Sequence, residues 1–210
     1  MNTRYDYVLY TTIMKKNFIA VLCFALLEMT GCATVAPPKE NGQDSTGSLS
    51  DVHQNIIQLI DNQEYEHAHQ IILQELESSP DDSMLHYHLG LLLLRRGLFQ
   101  EAEPEFRKTL DLDKNHPQAL FNLGVIKQKM NNLEEARKLY TKALAITPDD
   151  PDTHYNLAIV YDKLFKKENA LYHYKKCIGY FQSDRTKRRY IRAMQKRIDE
   201  LEYLLRKEKS

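Results

Sequence analysis

Tryptophan is absent from this sequence, and cysteine, glycine and proline are scarce. Three cysteines in 210 residues exclude a disulfide-dense scaffold and a four-cysteine zinc site. Of the seven glycines and seven prolines, only four and five lie in residues 49–210. That is too few turn residues for a many-stranded all-β fold. An excess of one charge is also missing: 29 Lys+Arg balance 29 Asp+Glu, for a formal net charge of zero. The balance argues against a strongly basic nucleic-acid binder and against an acidic disordered chain. Finally, no apolar run is long enough to span a bilayer. The run Phe18–Leu27 is ten residues, where a spanning helix needs about 20.

Ten apolar residues suit the hydrophobic region of a signal peptide, and Lys15 and Lys16 supply the positive flank before it. Met14 makes a more usual start than Met1 for such a leader. The run is followed by Met29-Thr30-Gly31-Cys32, which resembles the lipobox of bacterial lipoproteins. The resemblance implies cleavage before Cys32, so that residues 1–31 are the signal peptide, and transfer of a diacylglycerol to the Cys32 thiol. Several acyl chains on one residue anchor stably, because each buried CH₂ contributes about 0.8 kcal/mol. Ala33, where Asp would signal inner-membrane retention, implies the periplasmic face of the outer membrane. Cys23 leaves with the leader, and Cys177 remains as the single free thiol. Residues 33–48 have no hydrophobic periodicity and are rich in Pro, Gly, Ser and Thr. With the lipidated Cys32 they form a flexible linker of roughly 20–25 Å root-mean-square reach.

The rest of the chain repeats. Ala68, Ala102, Ala136 and Ala170 are spaced by 34 residues. Twelve residues before each stands Ile56, Gly90, Gly124 or Ala158, and four after each stands Ile72, Phe106, Tyr140 or Tyr174. Pro80 and Pro148 close two of the units. This period and these positions resemble the tetratricopeptide repeat (TPR) family, with units 49–82, 83–116, 117–150 and 151–184. The resemblance implies an all-α solenoid of four helix-turn-helix repeats. Small residues on the first helix (A) and the repeated alanine on the second (B) let the two approach closely. The large residue four places later fills the space beside them. A single unit cannot bury its own apolar face, so the units must stack. The first unit departs from the pattern at Asn55, and the fourth carries Phe165 and Lys167 at the turn positions where Gly and Tyr are usual. Pro104, early in a B helix, is read as structural. In residues 185–210, Ile191, Met194, Ile198, Leu201 and Leu205 form one helical stripe. They mark a capping helix over the last open face.

Residues that could carry chemistry are few. His67/His69 and His86/His88 are two apart, so on a helix each pair points to different sides and cannot chelate one metal. His86 and His154 share a repeat position with Leu120, which packs between helices in this family. No nucleophile triad, phosphate-binding glycine loop or zinc-spaced cluster occurs, and Cys177 stands where Ala143 does, as a packed thiol. The expectation is a non-enzyme without metal or cofactor.

The informative surface is the groove that A helices line in the TPR family. The fifth positions are His53, Tyr87, Phe121 and Tyr155, the sixth Gln54, His88, Asn122 and Asn156, and the ninth Ile57, Leu91, Val125 and Ile159. The resemblance implies that Tyr87, His88, Leu91, Phe121, Asn122, Val125, Tyr155, Asn156 and Ile159 bind a protein or peptide with apolar side chains. The Lys/Asn/Arg carboxylate clamp of chaperone-binding TPR domains is missing from these positions. Charge is segregated: residues 32–184 hold 16 basic and 23 acidic residues, residues 185–210 ten and four. Arg188, Arg189, Arg192 and Lys196 form the core of this basic patch. It suits anionic lipid or nucleic acid, or it is simply the solvated side of the cap.

Lipobox and repeats together are similar to small TPR lipoproteins such as type IV pilus pilotins and adaptors of cell-wall hydrolases. The leading expectation is a lipid-anchored envelope scaffold with a protein partner and no nucleic acid. The apolar stripe of the last helix leaves room for a homodimer. The alternative is a cytoplasmic adaptor whose basic C-terminal helix contacts nucleic acid or anionic lipid.

Overall fold

The computed structural model describes residues 49–181 and 185–208. The expected leader, Cys32 and the linker lie outside these residues. Eight α-helices pair into four antiparallel hairpins: α1 (Leu49–Asp61) with α2 (Tyr65–Ser78), α3 (Ser83–Arg95) with α4 (Phe99–Leu112), α5 (Pro117–Lys129) with α6 (Leu133–Ile146), and α7 (Pro151–Lys163) with α8 (Lys167–Phe181). A 3-10 turn, Arg185–Lys187, leads into α9 (Arg188–Glu208). No strand occurs among the described residues. The architecture is an all-α TPR solenoid ending in a capping helix.

The helix ends follow from local chemistry. Asp82 caps α3 by accepting the Met84 and Leu85 N–H groups at 2.8 and 3.2 Å. Asp150 caps α7 by accepting the Thr153 N–H at 2.8 Å. Each carboxylate satisfies donors that a helix start leaves without intrahelical partners. Pro117 and Pro151 occupy first-turn positions, where a missing N–H costs nothing. The A helices end alike. Gln63, Gly97, Asn131 and Phe165 all take positive φ, between 58° and 77°. In each case the next residue donates its N–H to the carbonyl five back, as Leu98 does to Leu93 at 2.9 Å and Lys166 to Tyr161 at 2.9 Å. These are Schellman stops, normally made with glycine. Phe165 makes one with a bulky side chain that is 86% exposed.

Packing inside the hairpins explains the repeat. Ala68, Ala102, Ala136 and Ala170 have no exposed surface. A β-carbon added at Gly90 would lie 2.9 Å from the Phe106 ring, and one at Gly124 would lie 2.7 Å from the Tyr140 ring. The glycines are therefore the floor on which those rings lie. The first hairpin fills the same pair of positions with Ile56 and Ile72, the fourth with Ala158 and Tyr174, all buried. The Tyr140 hydroxyl donates to Gln128 Oε1 at 2.9 Å, so its buried polar end is satisfied.

Between hairpins, Lys127 Nζ is 2.6 Å from Glu103 Oε1, and Arg107 bridges Glu103 and Glu135 at 2.7 and 3.2 Å. Burial raises the Glu103 carboxyl pKa, but the hydrogen bonds from Lys127 and Arg107 outweigh it and hold the group below its ordinary range. Pro104 lies inside α4. On α9, Met194, Ile198 and Leu201 are buried against Tyr174, Cys177 and Ile178 of α8. Three of the five stripe residues are thus turned onto the last hairpin. Among the described residues no helix is long and apolar enough to cross a membrane.

Candidate functional site

The A helices α1, α3, α5 and α7 lie side by side, and their fifth and ninth positions behave uniformly. His53, Tyr87, Phe121 and Tyr155 are half-buried, as are Ile57, Leu91, Val125 and Ile159. Six of these side chains pack partly against the core, Tyr87 and Leu91 on one cluster, Phe121 and Val125 on the next, Tyr155 and Ile159 on the last.

The sixth positions depart from the groove expectation. His88 is fully buried and Asn122 is 8% exposed, whereas Asn156 is half-buried and Gln54 exposed. The reason is an interlock between neighbouring A helices. The His88 ring lies 5.2 Å from the His53 ring of the preceding hairpin, and Asn122 Nδ2 reaches Tyr87 OH of its predecessor at 3.5 Å. The sixth side chain of one hairpin covers the fifth of the hairpin before. Phe121, the next fifth residue, offers no acceptor, and Asn156 turns back to donate to the Asp152 carbonyl at 2.9 Å. His88 and Asn122 therefore space the repeats and are not displayed to a ligand.

Burial pushes the His88 imidazole down to about 4, and the neighbouring His53 adds to the effect. Neither His88 ring nitrogen has a hydrogen-bond partner among the described residues. Burial likewise lowers His116, whose ring lies 4.7 Å from that of Tyr87.

His86 and His154 act as matching clamps. His86 holds the Pro80 carbonyl at 3.0 Å and Glu105 at 2.8 Å. His154 holds the Pro148 carbonyl at 2.9 Å and His173 Nδ1 at 2.8 Å. A carbonyl only accepts, so His154 Nε2 donates to it. In the neutral ring that leaves His154 Nδ1 to accept from His173. Burial, with His154 beside it, takes His173 down to about 4. Cys177 is fully buried, and burial, then Asp152 and Asp150, push its thiol up to about 12. It is held as a neutral packed group. Among the described residues no group of three or more His, Cys, Asp or Glu side chains could hold a metal ion.

Two clefts open beside the aromatic stripe. Phe121 lines one of about 520 Å³, with Pro117, Gln118, Pro148, Asp149 and Asp152. Tyr155 lines a smaller one of about 180 Å³, with Asp152, Phe181, Lys187, Tyr190 and Met194. Asp152 borders both, so the two clefts share an acidic rim. Sequence reasoning missed Asp152, Phe181 and Tyr190 as site residues. Asp152 was recoverable, because it holds the second position of its unit, one that the TPR pattern places in the groove. Tyr190 was not, because only the fold-back of α9 brings it beside Tyr155, and Phe181 was not, because it reaches the cleft from the far end of α8. The four basic residues Arg188, Arg189, Arg192 and Lys196 all lie exposed on α9.

Residues 58–179 match the family model described as the Cilia and flagella-associated protein 70 middle TPR-like domain. No curated protein matches the chain. Among solved structures, PilF of Pseudomonas aeruginosa is 20% identical, covering 75% of this chain and 69% of its own, with a TM-score of 0.62. MamA from Desulfovibrio magneticus RS-1 is 19% identical, covering 77% of this chain and 97% of its own, with a TM-score of 0.59. A further MamA crystal structure is 19% identical, with 76% and 91% covered and a TM-score of 0.57. At these identities the likeness is one of fold.

Proposed function

The chain belongs to the TPR-like domain family whose model spans its residues 58–179, and from that premise we propose that it is a protein-interaction scaffold that binds a partner segment along its A-helix groove. The observation that carries this reading is the pair of clefts at Phe121 and Tyr155. Two half-buried aromatic side chains from successive A helices each border an open cleft, and Asp152 stands between them. An extended or helical segment that places apolar side chains in the clefts, with a cation near Asp152, fits this arrangement. The groove residues are Tyr87, Leu91, Phe121, Val125, Tyr155 and Ile159, with Asn156 at the edge. Catalysis is no part of the proposal.

The finer reading follows the leader. A lipid at Cys32 tethers the scaffold to the periplasmic face of the outer membrane, where it serves assembly of pilus, secretion or cell-wall machinery. Photo-crosslinking in cells from position Phe121, with mass spectrometric identification, tests the groove. One dominant envelope protein is the expected result, and cytosolic partners would overturn the location. Absence of any capture would return the aromatic stripe to packing. Cys32→Ser tests the anchor: the expected result is an unshifted precursor that no longer carries lipid. Complete solubility of the unsubstituted protein would sink the lipoprotein reading.

A further inference from the structure

Between Arg185 and Ile198 the chain carries seven cations and no carboxylate. At 100° per residue, the buried residues Met194, Ile198 and Leu201 occupy one side of α9. Arg188, Arg189, Arg192 and Lys196 fall within an arc of about 100° on the opposite side. All four are exposed. Among the described residues none of them has a carboxylate within ion-pair distance. The cations facing the solenoid are treated differently. Arg197 makes a two-pronged bond to Asp162 at 2.7 and 2.6 Å, and Lys175 of α8 reaches Glu202 of α9 at 2.7 Å.

A cap needs polar residues on its outer side, and a mixture of signs would serve better than this one. Arg188 with Arg192, and Arg192 with Lys196, are like charges four apart, which destabilise a helix. Arg188 and Arg189 also stand in the first turn of α9, which holds no acidic residue. There the helix dipole disfavours cations. Two local rules are broken on one face, while the inward-facing Arg197 is paired with Asp162. Such one-sided violation marks a surface shaped by something other than the fold.

We propose that the outer face of α9 docks on an anionic phospholipid surface. The charge lies along one helix face, and no aromatic side chain of that face interrupts it between Arg188 and Lys196 for a base to stack on; the exposed Tyr203 of that face lies about two turns further along. A membrane is also the surface nearest to hand, a point that rests on the Cys32 anchor proposed above. From that anchor, a linker of the 16 residues 33–48 would have a root-mean-square reach of roughly 20–25 Å. The basic face supplies a second contact that orients the domain on that surface.

The test is co-flotation of the mature chain without its leader and without lipid (residues 33–210) with vesicles of phosphatidylcholine alone or mixed with phosphatidylglycerol. The expected result is stronger partition to the anionic vesicles, weakening as salt is raised. Each single Gln substitution in the patch should lower that partition about fivefold. The quadruple variant R188Q/R189Q/R192Q/K196Q should erase the difference between vesicles, while K129Q/K163Q leaves it intact. Gln keeps the helix, so unchanged circular dichroism separates lost docking from lost fold. Equal partition of the unsubstituted patch to both vesicles would overturn the proposal. So would tighter retention of an oligonucleotide than of anionic vesicles through the same four residues. If the Cys32-bearing protein carries no lipid in cells but the purified chain still prefers anionic vesicles, the anchor falls and the patch stands.

Discussion

Gly124 shows how much one missing methyl group matters. Its absent β-carbon would stand 2.7 Å from a ring that has no exposed surface. Gly124→Ala gains about 1 kcal/mol of helix propensity, but it forces the Tyr140 ring aside, and overpacking of this kind costs about 1–3 kcal/mol. The expected net effect is destabilisation, read as a lower denaturant midpoint. Adding Tyr140→Ile, which approaches the Ile56–Ile72 arrangement of the first hairpin, should recover part of it. Phe165 is the reverse case. At φ 58° and 86% exposed, it has backbone strain and no burial to offset it. Left-handed backbone costs a non-glycine residue about 1–2 kcal/mol, so Phe165→Gly should raise stability by about 1 kcal/mol. A fall in thermal midpoint would show that the ring makes contacts that repay the strain. The 34-residue spacing made both positions visible in the sequence. It did not reveal that four different residues adopt the same left-handed stop.

At the scale of the element, α9 does two things with two faces. Its inward stripe seals the last hairpin, where Leu201 has no exposed surface. Leu201→Ala should cost about 2–5 kcal/mol through the cavity it leaves. It should also raise the reactivity of Cys177 toward thiol reagents, because the same packing keeps that thiol buried and neutral. An unchanged modification rate would mean that the helix is held by its ion pairs instead. The stripe was legible as a 3.6-residue pattern on one segment. Where its outer face points was not, since that depends on which neighbour the stripe meets. The sixth positions of the A helices give the same lesson. A family pattern puts them in the groove, but the contact of His88 with His53 and of Asn122 with Tyr87 takes two of them out of it.

Across the whole molecule, buried and half-buried imidazoles couple stability to pH. His88 and His173 take up a proton near their ordinary value of 6.5 when the chain is unfolded, but only near 4 in the fold. His116 is lowered in the same direction. The unfolded state therefore binds more protons throughout that window, and unfolding becomes easier as the pH falls through it. The denaturant midpoint should drop steadily from about pH 6.5 to about pH 4. His88→Asn, which installs the residue found at the equivalent positions of the third and fourth hairpins, should flatten part of that fall. An identical pH profile in the variant would assign the effect to His116 and His173.

Helix, repeat and cap were all written in the linear order of residues, because each rests on spacing: 34 between alanines, 3.6 along a stripe, an acid or a proline at a helix start. Such features need only a neighbour close in sequence, or an identical unit beside it. The usable groove is a different kind of property. Phe181 and Tyr190 come to Tyr155 across long stretches of chain, Asp152 joins two clefts, and His88 vanishes under α1. Which side chains remain open to a partner is set by what the stacked helices cover, and covering is a relation between elements that no periodicity encodes.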